Sequence, residues 1–346
     1  CTVRRGAEVS SNQGVNLPDS HLSAPLLAAR DRRDIEFAVK HGVDWLAVSF
    51  VRGPEDLREV RKAVKKAGGD LLLIAKIELP VAVKRLDEIL DEADAVMVAR
   101  GDLAVEMGHE VVPTIQKRII QRAIETARPV ITATEMLESM IANAQPTRAE
   151  VSDVANAVID GTDAVMLSGE TAVGAFPVET VRTMHRIVAR TETELFGTHA
   201  RPRRRRTADF RCDTPERAIV LAAVTAADIG QARVVVAFTE SGRTARLVSS
   251  FRSAMPVMGL TSREASFHRM ALYWGVRPVL MRSVDSVSSM YREGVRVLSK
   301  AKWLKTGDLV AALTGTFAVS GATNTLRLMP FAELGLVADS KPRRNK

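Results

Sequence analysis

LLLIAKIELPVAVKRLDEILDEADAVMVARGD, residues 71–102, decides the fold. It holds two short apolar runs, LLLIAKIE (71–78) and DAVMVARGD (94–102), each ending in charged residues, with an amphipathic stretch between them. Runs apolar on both faces suit parallel strands covered on both sides. The unit recurs at VDWLAVSF (43–50), PVITATEM (129–136) and DAVMLSGE (163–170). The runs lie roughly 25–35 residues apart, the spacing of βα units. The stretches between read as helices. Pro54 suits a first helical turn, Leu57, Val60 and Val64 follow at helical spacing, and Gly68-Gly69 stops the helix. Ile115, Ile119, Ala123 and Ala127 repeat that spacing before Arg128-Pro129 breaks into the next strand. Five such units over residues 18–196 predict an α/β fold, a partial (β/α) barrel whose polar strand ends gather at one face.

The chemistry concentrates at those strand ends. Residues two apart on a strand share a side, so Lys76 and Glu78 can face one pocket. Asp102 lies just past the next run. Two carboxylates from separate strands can hold a hard divalent cation, and a lysine beside it can neutralise a phosphoryl group in transfer. Each residue also has a plain structural reading. Lys76 can snorkel or pair with Glu78, and Asp102 can cap the helix that follows. In Arg100-Gly101-Asp102-Leu103, Gly101 lets the backbone come close to a ligand, and the free N–H groups at that helix start can hold an anion. Thr134, at the end of its run, can bond substrate, relay a proton, or simply satisfy a strand hydroxyl. Ser168, Gly169 and Glu170 carry the same ambiguity. Arg148 and Asp153 fall near the start of an apolar-faced helix, where they hold either an interface or a loop.

Gly197, two prolines and an arginine run make residues 197–215 a basic linker. A second, smaller α/β domain is expected over 216–346. It opens with a helix at 216–230 and has strands at ARVVVAF (232–238), MPVMGL (255–260), VRPVLM (276–281) and DLVAAL (308–313). TESGRTAR (239–246) follows the first of these strands and opens a helix. Thr239, Ser241, Gly242, Arg243 and Thr244 would set hydroxyls, N–H groups and a guanidinium around one point, a phosphate cradle, or else form an ordinary capped helix start.

The 346 residues are 46% apolar and 26% charged, a globular balance. No apolar run reaches membrane-spanning length without a charge, and no signal-peptide pattern opens the chain. The net charge of +8 is concentrated in RPRRRR (201–206) and the tail KPRRNK (341–346). Basic residues confined to a linker and a tail read as solvated segments, so neither a nucleic-acid nor a membrane partner is expected. With Cys1 and Cys212 the only cysteines, no disulfide framework is indicated and a cytoplasmic location fits. None of the six histidines sits in a metal-spaced cluster. The chain opens on Cys1, and residues 1–16 alternate weakly like an edge strand, so it is expected to be a fragment or truncated product.

IAKIE, VARGDL, ATEMLESM, PTRAEVSDVANAVIDGTDAVMLSGETA and FTESGRTAR, in this order and spacing, resemble pyruvate kinase over almost the whole chain. The resemblance implies a TIM-barrel domain, a C-terminal effector domain, and an inserted B domain of which residues 1–17 would be the end. It implies that Lys76 stabilises the phosphoryl group in flight and that Glu78 and Asp102 bind Mg²⁺ or Mn²⁺. Backbone near Arg100 and Gly101 would hold the carboxylate of phosphoenolpyruvate, Asp102 would belong to the substrate site as well as to the metal, and Thr134 would bind substrate near the face where the enolate is protonated. The implied products are pyruvate and, from ADP, ATP. A phosphorylated sugar or nucleotide at the TESGRT loop and a homotetramer are further expectations. So is K⁺, whose family ligands and a substrate-binding arginine belong to barrel strands not found in this sequence. Glu135 stands where the family often has glutamine, and Ala104 where it has glycine. A metal-dependent aldolase of the phosphoenolpyruvate/pyruvate type, and an inactive remnant or regulatory subunit, are the competing readings.

Overall fold

The computed structural model describes residues 26–197, 213–315 and 323–337. The expected B-domain end (1–17), most of the basic linker, and the KPRRNK tail lie outside the described residues.

The first region forms a five-stranded, all-parallel sheet in sequence order: β1 (Trp45–Val48), β2 (Leu72–Ile77), β3 (Ala95–Ala99), β4 (Val130–Ala133) and β5 (Ala164–Val165). Each strand is shorter than its apolar run, because the residues beyond it turn out of the sheet. Every residue of β3 and β4 is buried, which explains why these strands read as continuous rather than alternating runs. The return segments are α1 (Ala29–Lys40), α2 (Pro54–Lys66), α3 (Pro80–Lys84), α4 (Leu86–Glu92), α5 (Arg100–Met107), α6 (Val112–Glu125), α7 (Arg148–Asp160), α8 (Gly169–Ala172) and α9 (Pro177–Phe196). Pro54 opens α2, and Gly68 stops the chain beyond it at φ +79°. Thr147 caps α7 in a reciprocal box with Glu150.

Two cores flank this sheet. The outer one packs Leu73, Ile77, Val96 and Val98 against Leu57, Val60, Leu86, Ile89, Ile119 and Ile120 of the helices. The inner one is Ile74, Ala95, Met97, Ile131 and Ala133. The period of two therefore places Lys76, two residues after Ile74, on the inner face of β2 and beyond the inner core.

The second region contains α10 (Pro215–Ile229), β6 (Val234–Phe238), α11 (Arg243–Ser250), β7 (Val257–Thr261), α12 (Glu264–Arg269), β8 (Val276–Leu280), α13 (Val287–Lys300), β9 (Leu309–Gly315), β10 (Thr323–Pro330) and α14 (Phe331–Leu334). The sheet order is β10-β9-β6-β7-β8, parallel except for the antiparallel β9–β10 pair. All four expected strands are present. β10 was not foreseen: it is a half-exposed edge strand whose TNTLRLMP sequence has no apolar run.

The two regions share apolar contacts and ion pairs, among them Arg269 Nη1–Asp70 Oδ2 at 3.3 Å. Trp45 and Ala127 pack into the core of the second sheet. The buried Arg252 guanidinium grips both oxygens of the buried Asp163 carboxylate, Nη1–Oδ1 at 3.0 Å and Nη2–Oδ2 at 2.7 Å.

Candidate active site

The site grows from the C-terminal ends of β1 to β4. Glu78, the residue after β2, is fully buried. The Lys76 Nζ lies 2.5 Å from Glu78 Oε1 and donates to Ser49 Oγ at 2.9 Å. Phe50, whose backbone turns left-handed at φ 55°, donates its N–H to Glu78 Oε2 at 2.5 Å. The Lys76–Oε1 contact is close but off the hydrogen-bonding direction, so Oε1 is sealed from solvent with no hydrogen-bond partner. A buried carboxylate oxygen with a charge contact alone keeps lone pairs available for a further cation.

β3 hands over directly to α5, with Arg100, Gly101 and Asp102 in the first turn. β2 and β3 are level at Ile77 and Val98, so Glu78 stands one residue past that register and Asp102 on the neighbouring turn. Asp102 does not cap α5. It is half-buried, and its carboxylate makes no hydrogen bond or ion pair among the described residues. No group of three or more His, Cys, Asp or Glu able to hold a metal forms among those residues. An ion shared by Glu78 and Asp102 would thus take its remaining oxygens from elsewhere.

The third part is the turn after β4. Thr134 (φ 65°) and Glu135 (φ 54°) are consecutive left-handed residues, neither of them glycine. Such conformations cost about 1–3 kcal/mol each and persist only where the surroundings hold them. The holder is Arg100. Its buried guanidinium donates to the carbonyls of Ala133 (3.2 Å), Thr134 (2.6 Å from Nη2) and Glu135 (3.1 Å), and to Asp153 Oδ2 of α7 at 2.5 Å. The Thr134 hydroxyl accepts from the Gly101 N–H at 2.8 Å and donates to Ala133 O at 2.7 Å. The side chain of Arg100 is thereby fully engaged within the chain, and what it offers a ligand is backbone. A Cβ at Gly101 would meet Thr134 Oγ1 at 3.7 Å, an ordinary contact, so packing within the chain does not require glycine there.

Around this turn the acids are well braced. Glu170 is fully buried and accepts from the Leu137 and Ser168 amides, at 3.1 and 2.7 Å. Burial pushes the Glu150 carboxyl up, but the Ser139 hydroxyl and the Ser139 and Thr147 amides outweigh it and hold the group below the usual range. Burial and then the charges of Glu170 and Glu135 raise Glu138.

Lys76 and Glu78 thus meet in one cluster, and Arg100, Gly101 and Thr134 in another. Asp102 stands in the same turn as Arg100, with its carboxylate unengaged. The pattern reading missed Ser49 and Phe50, the partners of Lys76 and Glu78, although both end the VDWLAVSF run. It left the role of Asp153 open.

In the second domain, Gly242 caps α11 at φ +82°, and a Cβ there would also press on Met270 at 3.0 Å. Arg243 Nε donates to Glu216 Oε2 at 2.8 Å, and the Thr244 hydroxyl bonds that of Thr323 at 2.7 Å. Thr239 is half-buried, and Ser241 is exposed at the turn. Two of the five expected cradle groups therefore already have partners within the chain.

A barrel segment with an inward lysine and acids at its strand ends, followed by a second α/β domain, defines a class of barrel proteins that do their chemistry on the C-terminal strand ends. Comparison with known proteins resolves the class. The family model "Pyruvate kinase, barrel domain" matches residues 1–181, and "Pyruvate kinase, alpha/beta domain" matches 217–329. Pyruvate kinase 2 of Synechocystis is 42% identical over 95% of this chain and 54% of its own length. Pyruvate kinase of Corynebacterium glutamicum is 45% identical over 95% of the chain and 68% of its own length. That of Mycobacterium tuberculosis is 41% identical over 96% and 69%. The chain belongs to the pyruvate kinase family. It spans between about half and just over two thirds of the length of these relatives, from 54% to 69%.

Proposed function

We propose that this chain carries the phosphoryl-transfer face of a pyruvate kinase, acting on phosphoenolpyruvate and ADP. The P–O bond to C2 of the enol breaks, a bond from phosphorus to a β-phosphate oxygen of ADP forms, and the enolate takes a proton at C3 to give pyruvate. The observation that carries this reading is the Lys76–Glu78 pair, held by Ser49 and Phe50 on the inner face of β2 in a chain of this family. Lys76 places its ammonium against the phosphoryl oxygens, where charge accumulates in a loose transition state. The first-turn backbone at Arg100 and Gly101 receives the carboxylate of phosphoenolpyruvate, which there competes with the Thr134 hydroxyl for the Gly101 N–H. Thr134 positions the substrate beside the face of the enolate that is protonated.

Glu78 and Asp102 would hold Mg²⁺ or Mn²⁺. The Glu78 Oε1 that carries an ion-pair contact but no hydrogen bond, the Asp102 carboxylate unengaged among the described residues, and the all-oxygen donor set fit such an ion. When bound, the ion supplies positive charge to the phosphoryl and enolate oxygens. The family likeness also supports K⁺ dependence, a homotetramer and a cytoplasmic glycolytic role. It supports a phosphorylated sugar or nucleotide as effector at Thr239, Ser241, Gly242, Arg243 and Thr244. No helix among the described residues is long and apolar enough to cross a membrane.

The test is product stoichiometry. Purified protein given phosphoenolpyruvate, ADP, Mg²⁺ and K⁺ forms ATP and pyruvate in equal amounts. Pyruvate without ATP, or aldol cleavage that ignores nucleotide, rejects the reading.

A further inference from the structure

The underside of the barrel, away from the strand ends that carry Lys76, meets the second domain across a small recess. It is lined by Arg128 and Pro129 before β4, Asp163 before β5, and Arg246, Ser249 and Arg252 on and after α11. The recess is narrow: its cavity volume is about 10 Å³, room for about one water-sized atom, and it opens on one side to solvent.

Its charges do not balance. Asp163 is the one acid among the lining residues, and its carboxylate is saturated. Oδ2 accepts from the Val130 N–H (3.0 Å) and Arg252 Nη2 (2.7 Å), and Oδ1 from Arg252 Nη1 and the Trp274 N–H, both at 3.0 Å. Asp163 therefore neutralises Arg252 and nothing else. Among the described residues Arg128 donates only to two main-chain carbonyls, Leu90 O at 3.0 Å and Asp91 O at 3.3 Å. The Arg246 guanidinium has no hydrogen bond or ion pair to any described residue, and its Nε is closed off from solvent. The serines offer little, since Ser249 Oγ donates to Trp274 O at 2.7 Å and Ser250 Oγ to Leu247 O at 2.7 Å.

Two guanidiniums with no carboxylate of the described residues in ion-pair contact thus face one recess, Arg128 feeling Asp94 and Asp91 only at longer range. A desolvated donor left unpaired costs about 1–3 kcal/mol, more when it is charged. Two like charges beside one recess add repulsion. The strain registers on Arg128, which burial, and next the charge of Arg246, push down to about 10. An anion removes both costs at once.

We propose that Arg128 and Arg246 form an oxyanion site at the junction of the two domains. The ligand class is inorganic phosphate or the terminal phosphate of a small solute, with one oxygen between the guanidiniums and the rest toward the open side. This site is separate from the TESGRT turn, whose Arg243 is engaged with Glu216. Because one guanidinium comes from each domain, occupancy clamps the domains together.

The experiment is calorimetric titration of the whole protein with inorganic phosphate, against chloride at equal ionic strength. The variants are Arg243→Gln, Arg246→Gln and the double substitution, all on Lys76→Met so that the strand-end ammonium adds no phosphate binding of its own. Arg243→Gln should retain a phosphate-binding event that chloride does not reproduce, and adding Arg246→Gln should abolish it. Loss of all binding in Arg243→Gln, persistence in the double variant, or equal heats with chloride would each overturn the proposal. Thermal unfolding separates binding from packing. Without phosphate, Arg246→Gln should melt no lower than its parent, because it relieves repulsion, and phosphate should no longer raise its Tm. A lower Tm in every buffer, with the phosphate response intact, would mark Arg246 as a packing residue only and overturn the site. If the double variant does not fold, Arg246→Lys on Arg243→Gln replaces it. That variant should bind phosphate several-fold more weakly, and unchanged affinity would overturn the proposal.

Discussion

Arg100→Met should destabilise the protein by about 3–5 kcal/mol, the scale for losing several hydrogen bonds made by one buried charged group. The parts can be counted. The guanidinium supplies hydrogen bonds to the carbonyls of residues 133, 134 and 135 and a charged contact to Asp153. Hydrogen bonds to a charged group are worth about 1.5–3 kcal/mol each, but they are not additive when one group makes them all. The freed Asp153 carboxylate is 38% exposed and can hydrate, which limits its share of the loss. The carbonyls of the turn have less recourse. Without Arg100, nothing holds Thr134 and Glu135 left-handed against a strain of about 1–3 kcal/mol per residue. Relaxation of that turn would carry the Thr134 hydroxyl away from the Gly101 N–H. Urea unfolding followed by circular dichroism measures the stability change, with an unchanged m-value as the check that the denatured state is the same. Arg100→Lys should recover less than half, because one ammonium cannot span three successive carbonyls and a carboxylate. Asp153→Asn should cost less than Arg100→Met, because the carboxylate it replaces is partly exposed. A loss below about 1 kcal/mol for Arg100→Met, the size of an ordinary surface substitution, would refute the reasoning. So would full rescue by lysine.

Lys76→Met should lower phosphoryl transfer at least about 100-fold, the scale for deleting one preorganised electrostatic group. Near-normal turnover in a coupled ATP assay would remove Lys76 from its role. Asp163→Ala leaves Arg252 buried and unpaired, at a cost of about 3–5 kcal/mol. It should also split a shared calorimetric transition, since Asp163 ties β4 to the second domain, and an unaltered single transition would count against that tie. The Glu293 carboxyl is held down to about 2 from its ordinary 4.5, chiefly by hydrogen bonds from the Arg296 guanidinium. A lowered folded-state value gives stability that is present above about pH 4.5 and lost as pH falls through 2. Glu293→Gln should therefore melt below the parent at neutral pH and converge with it on acidification. Constant separation down to the lowest pH at which the protein folds would contradict this.

The framework was legible because burial on both faces leaves a mark that does not depend on distant partners. β3 and β4 read as apolar runs since every one of their residues is covered. That Lys76 and Glu78 share a side followed from the period of two; that the side is the inner one is set by Ile74 in the inner core. β10 escaped because an edge strand with one wet face needs no apolar run, and its pairing with β9 is all that defines it. Left-handed backbone at Thr134 and Glu135 escaped for a different reason. Glycine advertises such a conformation, but a threonine or glutamate forced into it by neighbours leaves no trace in the sequence.

Arg100 shows how far this limit reaches into the candidate site. In the linear sequence it neighbours Gly101 and Asp102, so adjacency alone assigns it to the ligand. In the fold, Asp153, 53 positions later, and the carbonyls after β4 claim its charge first. A residue's place in a motif fixes which strand end it reaches. Whether its side chain faces the ligand or the scaffold depends on which unsatisfied groups the other elements bring there. Here those groups are carbonyls that a strained turn exposes, and a guanidinium is the side chain with enough donors to bind several at once. The strain at Thr134 and the engagement of Arg100 are therefore one feature, and the Arg100 variants test both together.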